Sequence, residues 1–180
     1  MASMTNIVVR ALDSTDFEAL QKLEAEIFGE AGGGVLCPHY LRLCTEMFAD
    51  TCFLALVNGR PVGYVLCFVR GRDAYCTTLA VIPEFQRTRV TPMLLAGFVR
   101  RIVDEIDTCW FTVEPGNVAA RALHKMLGAS EAGVVRDFYG PGDERIVSKI
   151  DQAQFEIVRA KYERLGLLPR RVLVETREAA

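Results

Sequence analysis

The order of secondary-structure signals in the middle of the chain constrains the fold most. From Thr77 to Gly128 the sequence predicts a strand, a basic loop, a long amphipathic helix, a second strand and a second helix. The two predicted strands, at about 75–82 and 108–113, are apolar and rich in β-branched residues. Pro92 suits the first turn of the helix between them. We therefore expect a mixed α/β domain in which helices pack on a sheet.

The segment before this core predicts a strand and a helix. Asn6 to Leu12 alternates and is rich in Val and Ile, which favours a strand. Thr15 and Glu18 have the spacing of a capping box, and the helix that they open carries apolar residues at helical spacing as far as Ile27. The glycine run 32–34 is expected to end this helix.

A second helix and a hairpin follow. Pro38 suits the first turn of a helix. Beyond it, apolar runs at 51–57 and 62–69 flank Asn58 and Gly59, which is a strong hairpin signal.

The end of the chain predicts two more strands and an appendage. Gly128 stops the helix that begins near Asn117, and strands are expected near 134–139 and 145–150. The domain so defined covers about residues 5–150. Residues 151–180 form a C-terminal extension, with a helix over about 153–165 and a short strand over 171–175. We expect this extension to pack against its own domain, with a homodimer contact as the alternative.

Length and composition limit the class of protein. A chain of 180 residues with 51% hydrophobic and 24% charged residues is typical of one ordered globular domain. The formal net charge of -2 argues against general affinity for nucleic acid or an anionic membrane, and no apolar run is long enough for a membrane span. The six cysteines show no metal-ligand spacing and no secretion signal precedes the first strand, so we expect reduced thiols in a cytoplasmic protein without a metal.

Two motifs carry a resemblance to a known family. Leu79-Ala80-Val81 precedes the basic loop 86–91, and Asn117-x-x-Ala120-x-x-Leu123-His124 opens the later helix. This order resembles the acyl-CoA-binding half of the GCN5-related N-acetyltransferases, or GNAT superfamily. The resemblance implies the acyl-CoA N-acyltransferase fold over the domain, with acetyl-CoA as cosubstrate and an amine as acceptor.

The basic loop departs from the family pattern. The family has two glycines where this chain has Arg89 and Thr91, and glycine lets a backbone approach phosphates closely. A loop that leads into a helix N-terminus is still a pyrophosphate site in principle. Arg87 and Arg89 add permanent cations, and the Thr91 hydroxyl can donate to a phosphate or cap the helix. The alternative is that these side chains are solvated surface.

The resemblance assigns a set of candidate site residues. The implied cofactor-binding residues are Leu79, Ala80, Val81, Gln86, Arg87, Thr88, Arg89, Val90, Thr91, Asn117 and Ala120. His124 stands where relatives have a Tyr that faces the thioester, and an imidazole can protonate a leaving thiolate. Tyr139 matches a Tyr of the ribosomal-protein and N-terminal acetyltransferases that serves as general acid or lines the peptide entrance. For both residues, packing or exposure to solvent is the structural alternative.

The acceptor amine is less constrained. Residues 39–150 also resemble the diaminobutyrate acetyltransferases, although Thr77 and Thr78 replace the substrate-pocket residues expected there. The same two threonines occupy the positions where many relatives carry a Glu that acts as general base. Asp73, Glu84 and Glu114 are nearby carboxylates, each most simply a turn or surface residue.

We therefore expect an acetyl-CoA-dependent N-acetyltransferase that transfers an acetyl group directly to a primary amine of a small molecule or a peptide N-terminus. Two alternatives stay open at this point. One is a degenerate, non-catalytic member that keeps the fold as a binding or regulatory protein. The other is a different acyl group, whose carboxylate would meet Arg87 or Arg89.

Overall fold

Strands and helices in the computed structural model are described for residues 6–29 and 34–170. Within these residues seven strands form one sheet: β1 (Ile7–Ala11), β2 (Phe53–Val57), β3 (Arg60–Arg70), β4 (Asp73–Val81), β5 (Thr108–Val113), β6 (Ser130–Val135) and β7 (Arg145–Asp151). Their spatial order is β1-β2-β3-β4-β5-β7-β6. β4 and β5 are parallel, and the other neighbouring pairs are antiparallel.

Five α-helices accompany the sheet in the same part of the chain: α1 (Phe17–Phe28), α2 (Pro38–Glu46), α3 (Val90–Ile102), α4 (Val118–Met126) and α5 (Gln152–Arg164). α3 contacts β1, β2 and β3, and α4 contacts β5. None of the described helices is long and apolar enough to cross a lipid bilayer.

The predicted order of elements is confirmed: strand, two helices, three strands, helix, strand, helix, two strands and a final helix. The hairpin signal is also confirmed. Asn58 and Gly59 have φ angles of 50° and 83°, the left-handed values that a two-residue turn between twisted strands requires. Pro38 opens α2, as expected for a residue whose missing N–H costs nothing in the first turn.

The capping box before α1 lies two residues earlier than predicted. The capping box consists of Asp13 and Asp16, not of Thr15 and Glu18. Asp13 Oδ1 accepts the Thr15 N–H at 2.8 Å, and Asp16 Oδ2 accepts the Asp13 N–H at 2.9 Å. A 3-10 turn at Ser14–Asp16 therefore leads directly into α1.

The start of α3 needs a similar correction. The helix begins at Val90 rather than at Pro92, and Arg89 is its N-terminal cap residue without a side-chain cap. Thr91 lies inside the first turn and is not the cap. Proline is compatible with the third helical position because the first-turn N–H groups have no partner within a helix.

Two other expectations concern the segment between β6 and β7 and the residues that the structure does not describe. β6 ends at Val135, so Phe138 and Tyr139 lie in the loop before β7 and not in a strand. Asp137 has a φ angle of 55° and accepts the Gly142 N–H at 2.7 Å, which turns the chain out of the sheet. Residues 32–33 of the glycine run and the strand expected at 171–175 lie outside the described residues.

The segment after β7 packs on the sheet. Phe155 and Tyr162 of α5 are buried in the same core as the sheet, as are Leu167 and Leu168 behind them. The Tyr162 hydroxyl donates to the Leu127 carbonyl. The expected packing of residues 151–170 against their own domain is therefore confirmed. The domain boundary at residue 150 stays a prediction.

Candidate active site

A gap between β4 and β5 is the main feature of the sheet. The two strands pair only where Asp73–Cys76 faces Thr108–Phe111. Beyond these residues β4 continues beside β3 up to Val81, while β5 continues beside β7 up to Val113. In this part of the sheet β4 still pairs with β3 and β5 still pairs with β7, but β4 and β5 no longer pair with each other. The sheet therefore divides at its middle.

A β-bulge in β4 marks the point of division. Leu66 of β3 faces Thr78, but the next residue of β3, Cys67, faces Cys76, which leaves Thr77 as an extra residue. The Tyr40 hydroxyl of α2 donates to Thr77 Oγ1 at 2.7 Å and so holds this residue on the α2 side of the sheet. Bulges bend a strand and end its pairing, which accounts for the divergence of β4 from β5 here.

The alternating hydrogen bonds of β4 determine which of its backbone N–H and C=O groups face the gap. The Ile82 N–H donates to the Val62 carbonyl at 2.9 Å. In an antiparallel pair every second residue bonds to the neighbouring strand, so the backbone groups of Leu79 and Val81 point away from β3 and toward the gap. The Gln86 side chain agrees with this direction, because its Nε2 donates to the Val81 carbonyl at 3.1 Å.

The gap continues into a cavity of about 610 Å³. Its wall combines α1, the connection from α1 to α2, the ends of β4 and β5, α4 and the loop before β7. The polar side chains in this wall are Glu24, Thr77, Thr78, Thr112, Glu114, Asn117, His124, Tyr139 and Arg145. The cavity wall thus contains both predicted catalytic residues, His124 and Tyr139, and three of the predicted cofactor-binding residues, Leu79, Asn117 and Ala120. The other predicted cofactor-binding residues, Ala80, Val81 and loop residues 86–91, lie outside this wall.

His124 lies in the cavity wall with one ring nitrogen buried. Its ring packs on Phe111, with centroids 4.6 Å apart and an interplanar angle of 31°. Nδ1 is buried and has no hydrogen-bond partner within residues 6–29 and 34–170. Burial lowers the pKa of His124, so the imidazole is neutral at neutral pH. A neutral imidazole has one unprotonated ring nitrogen and can exchange a proton with a neighbouring group.

Asn117 and Ala120 mark the beginning of α4. Asn117 Oδ1 accepts the Ala120 N–H at 3.0 Å and caps the helix. Ala120 is half-buried and lines the cavity, where its small side chain leaves room.

Tyr139 lies at the edge of the cavity and is held by Arg145. The ring is 70% exposed, and the Arg145 guanidinium lies over it at 5.0 Å from the centroid. Asp143 fixes this guanidinium with two hydrogen bonds of 2.9 and 2.7 Å, and Glu114 lies 3.2 Å from it. The Arg145 hydrogen bonds also lower the pKa of Asp143. This network holds the Tyr139 ring at the edge of the cavity.

The loop before α3 presents cations at the helix N-terminus. Arg87 and Arg89 are exposed and form no ion pair with the described residues. Thr88 Oγ1 accepts the Val90 N–H at 3.3 Å, and Val90 itself is buried in the core. The side chains that face solvent at this helix end are therefore those of Arg87, Thr88 and Arg89, while Thr91 is half-buried beside them.

Sequence reasoning missed Glu24. This α1 residue is fully buried and forms part of the cavity wall. Its Oε2 accepts the Leu36 N–H at 2.9 Å, and its Oε1 accepts the Tyr64 hydroxyl. The signal was present, because Glu24 follows Leu20 by four residues and so lies on the apolar face of the helix.

Comparison with known proteins agrees with this architecture. The model of the acetyltransferase (GNAT) family matches residues 17–129, which is more than half of the chain. Ribosomal protein bS18-alanine N-acetyltransferase of Escherichia coli is 31% identical over 93 residues, covering 49% of this chain and 60% of the relative. The match therefore spans less than two thirds of that relative's length.

Solved structures share the fold. The diaminobutyrate acetyltransferase EctA from Paenibacillus lautus, in complex with L-2,4-diaminobutyric acid and coenzyme A, has a TM-score of 0.67 at 20% identity, covering 82% of this chain and 96% of its own. Arabidopsis thaliana Naa50, in complex with the bisubstrate analogue CoA-Ac-MVNAL, has a TM-score of 0.71 at 15% identity, covering 81% and 98%. The chain belongs to the GNAT acetyltransferase family.

Proposed function

We propose that the protein is an acetyl-CoA-dependent N-acetyltransferase that transfers an acetyl group directly to a primary amine. The observation that carries this proposal is the gap between β4 and β5, which opens into a cavity whose wall includes His124. The Nδ1 atom of this residue is buried and has no hydrogen-bond partner among the described residues. A buried polar atom without a partner costs free energy unless another group satisfies it.

The residues present fit an acyl-CoA. Arg87 and Arg89 stand as unpaired cations at the N-terminus of α3, where phosphates are favoured. Loop residues 86–91 would hold the pyrophosphate through these side chains, Thr88, Thr91 and the backbone. In this proposal the charges of Arg87 and Arg89 compensate for the missing glycines, at the expense of close backbone contact with the phosphates.

The gap itself suits the extended arm of the cosubstrate. The Leu79 and Val81 N–H groups point into the gap and would donate to the arm or to the acetyl carbonyl. Ala80 lies between them, and Asn117 and Ala120 would flank the arm on the α4 side. Acetyl-CoA supplies the acetyl group as an activated thioester.

The chain contributes positioning and proton transfer. His124 begins neutral because burial lowers its pKa, so it can take a proton from the attacking amine and return one to the leaving sulfur. Tyr139 is the second proton donor that we propose, since it lies in the same cavity wall. Holding both reactants in one cavity supplies much of the remaining rate enhancement.

The acceptor would enter between the α1–α2 connection and the loop before β7. Gly34 and Leu36 line the cavity on one side and Tyr139 on the other. The relatives named above act on a ribosomal-protein alanine and on diaminobutyrate. We propose the same acceptor class here, the primary amine of a peptide N-terminus or of a small molecule.

Location and assembly are part of the proposal. The six cysteines all lie within the described residues and all are free thiols, which suits a reducing cytoplasm. A homodimer stays a prediction that light scattering would test.

Two assays with the purified chain test the proposed function. Thermal shift with CoA should give a clear stabilisation, because a ligand at a hundredfold its Kd contributes about 2.7 kcal/mol. Release of the CoA thiol from acetyl-CoA should then depend on added amine, with an alanine-initiated peptide and 2,4-diaminobutyrate as first acceptors. Stabilisation by CoA without turnover on any amine would favour the non-catalytic alternative. A folded protein that CoA does not stabilise would contradict the proposal.

A further inference from the structure

A chain of two side-chain hydrogen bonds holds the bulge in β4. The Tyr40 hydroxyl donates to Thr77 Oγ1 at 2.7 Å, and Thr77 Oγ1 donates in turn to the Leu66 carbonyl at 3.3 Å. Thr77 is the extra residue of the bulge, so its hydroxyl bonds to β3 where the regular pairing of β4 is interrupted. The chain thus ties α2 to β4 and β3. Thr77 belongs to the cavity wall formed by the described residues, whereas Tyr40 does not.

Packing fixes the Tyr40 hydroxyl independently of this chain. The half-buried ring meets Phe68 of β3 edge-on, with centroids 5.4 Å apart and an interplanar angle of 70°. Phe68 also packs against Phe48, with centroids 4.6 Å apart, and edge-to-face contacts of this kind are favourable. Burial raises the pKa of Tyr40, so the hydroxyl keeps its proton and remains a donor at neutral pH. The donor is therefore in place before any reactant binds.

The position of the bulge decides which backbone groups of β4 face the gap. Ile82 bonds to Val62, so every second β3 residue from Val62 onward bonds to β4, and Tyr64 is one of them. Leu79 faces Val65, which lies between two such residues, and the Leu79 N–H is therefore directed into the gap. A bulge displaced along β4 beyond Leu79 would place Leu79 opposite Tyr64. Its N–H would then turn toward β3, because a one-residue slip exchanges the two directions.

We propose that Tyr40 is a positioning residue for acetyl transfer. By holding Thr77 as the bulged residue, it keeps the Leu79 and Val81 N–H groups directed into the gap, where the proposed function puts acetyl-CoA. Tyr40 lies outside the cavity wall and acts through Thr77. Its helix, α2, begins two residues after Leu36 of the cavity wall, so an element on the acceptor side supports the acyl-CoA site. The inference rests on the proposed function and adds a supporting residue outside the cavity.

Turnover of an alanine-initiated peptide at saturating acetyl-CoA provides the first test. Tyr40→Phe removes the hydroxyl but retains the ring that packs on Phe68. It should lower kcat by about tenfold or more, because a misplacement of about 1 Å can cost about 10²-fold. Thr77→Val removes the hydroxyl at the other end of the bond and should give a similar loss. Thr77→Ser keeps that hydroxyl and should restore most of the turnover that Thr77→Val loses.

The double variant Tyr40→Phe/Thr77→Val tests whether the two residues act as one unit. Because both single changes break the same hydrogen bond, the double variant should be no slower than the slower single variant. Two independent structural roles would instead give losses that multiply.

A spectroscopic measurement and a matched control separate positioning from stability. In the CoA complex, the amide NMR signals of Leu79 and Val81 should shift in Tyr40→Phe. Tyr162→Phe makes the same chemical change in the core, where the hydroxyl bonds to the Leu127 carbonyl. It should lower the free energy of unfolding but leave kcat and both amide signals at their wild-type values.

The outcomes distinguish the inference from the function on which it rests. Wild-type kcat in Tyr40→Phe, multiplied losses in the double variant, or an equal loss of kcat in Tyr162→Phe would each overturn the role of Tyr40 and leave the acetyltransferase intact. Unshifted Leu79 and Val81 amide signals in Tyr40→Phe would overturn it as well, and this measurement needs no turnover. Failure of the wild type to acetylate any amine is a failure of the proposed function.

Discussion

The imidazole of His124 lies against the ring of Phe111, 4.6 Å between centroids, and its buried Nδ1 accepts no hydrogen bond from the described residues. The contact holds the plane of the imidazole in the wall of the cavity. This arrangement is suited to proton exchange with a bound reactant, and it makes His124 the first residue to test.

Replacing His124 by Phe should lower turnover by about 10²–10⁴-fold, the usual loss when a general acid or base is removed. Phenylalanine retains the ring contact with Phe111, so folding should survive. His39→Phe is the matched control, since His39 is exposed on α2 and should leave turnover unchanged. Tyr139→Phe and the double variant complete the series. Near-normal rates in the double variant would show that neither residue transfers the proton.

The lowered pKa of His124 predicts a pH dependence of stability. The folded protein binds fewer protons at this site than the unfolded chain, whose His has a pKa near 6.5. The free energy of unfolding should therefore fall as the pH is lowered through about 6.5 toward the folded pKa. Urea unfolding of wild type and His124→Phe between about pH 5 and 7.5 checks this. A wild-type stability that falls no more steeply than that of the variant would contradict the assigned direction.

The substituted loop predicts a strong salt dependence of CoA binding. Exposed charges are screened beyond about 10 Å at 0.1 M salt and about 3 Å at 1 M. Calorimetry at low and high salt should show a steep loss of affinity for wild type. Arg89→Gly should flatten this dependence and keep affinity, because one charge is lost while backbone access is gained.

Two further variants separate charge from backbone freedom. Arg89→Gln removes the charge alone and should weaken binding at low salt. Arg136→Gln removes an arginine that pairs with Glu144 in another loop and should change nothing. If CoA binds only after Arg89→Gly, the natural loop is closed to the cosubstrate and the protein is not an acetyltransferase.

The packing of α5 makes a prediction about stability. Tyr162 is 1% exposed and bonded to Leu127, so Tyr162→Ala should destabilise the protein by about 3–5 kcal/mol. Ile157 on the same helix is 80% exposed, and Ile157→Ala should stay within about 0.5 kcal/mol of wild type. Equal stability of both variants would mean that the C-terminal extension is not part of the folded unit.

Much of the fold could be predicted from the sequence because its signals are local. The turn residues Asn58 and Gly59, the helix-opening Pro38 and the stop at Gly128 each act within a few residues, and each was placed correctly. The capping box before α1 and the start of α3 were misplaced, since capping geometry depends on side-chain positions that a spacing rule does not contain.

The candidate site was predictable only where a motif carries it. His124, Tyr139, Asn117 and Ala120 were found by resemblance, and the structure places all four around one cavity. Glu24 belongs to no motif in the sequence. Its contact with Tyr64 depends on α1 packing against β3 far along the chain, which no local pattern encodes.

The most direct test of direct acetyl transfer is to follow a labelled acetyl group from acetyl-CoA to its product. The purified protein is incubated with isotopically labelled acetyl-CoA and an alanine-initiated peptide, and mass spectrometry follows peptide and protein while the free CoA thiol is counted. Direct transfer through the gap between β4 and β5 predicts labelled peptide and free CoA in equal amounts, with no label on the protein. Label retained on the protein, or no labelled product from a folded protein with any primary amine, would contradict it.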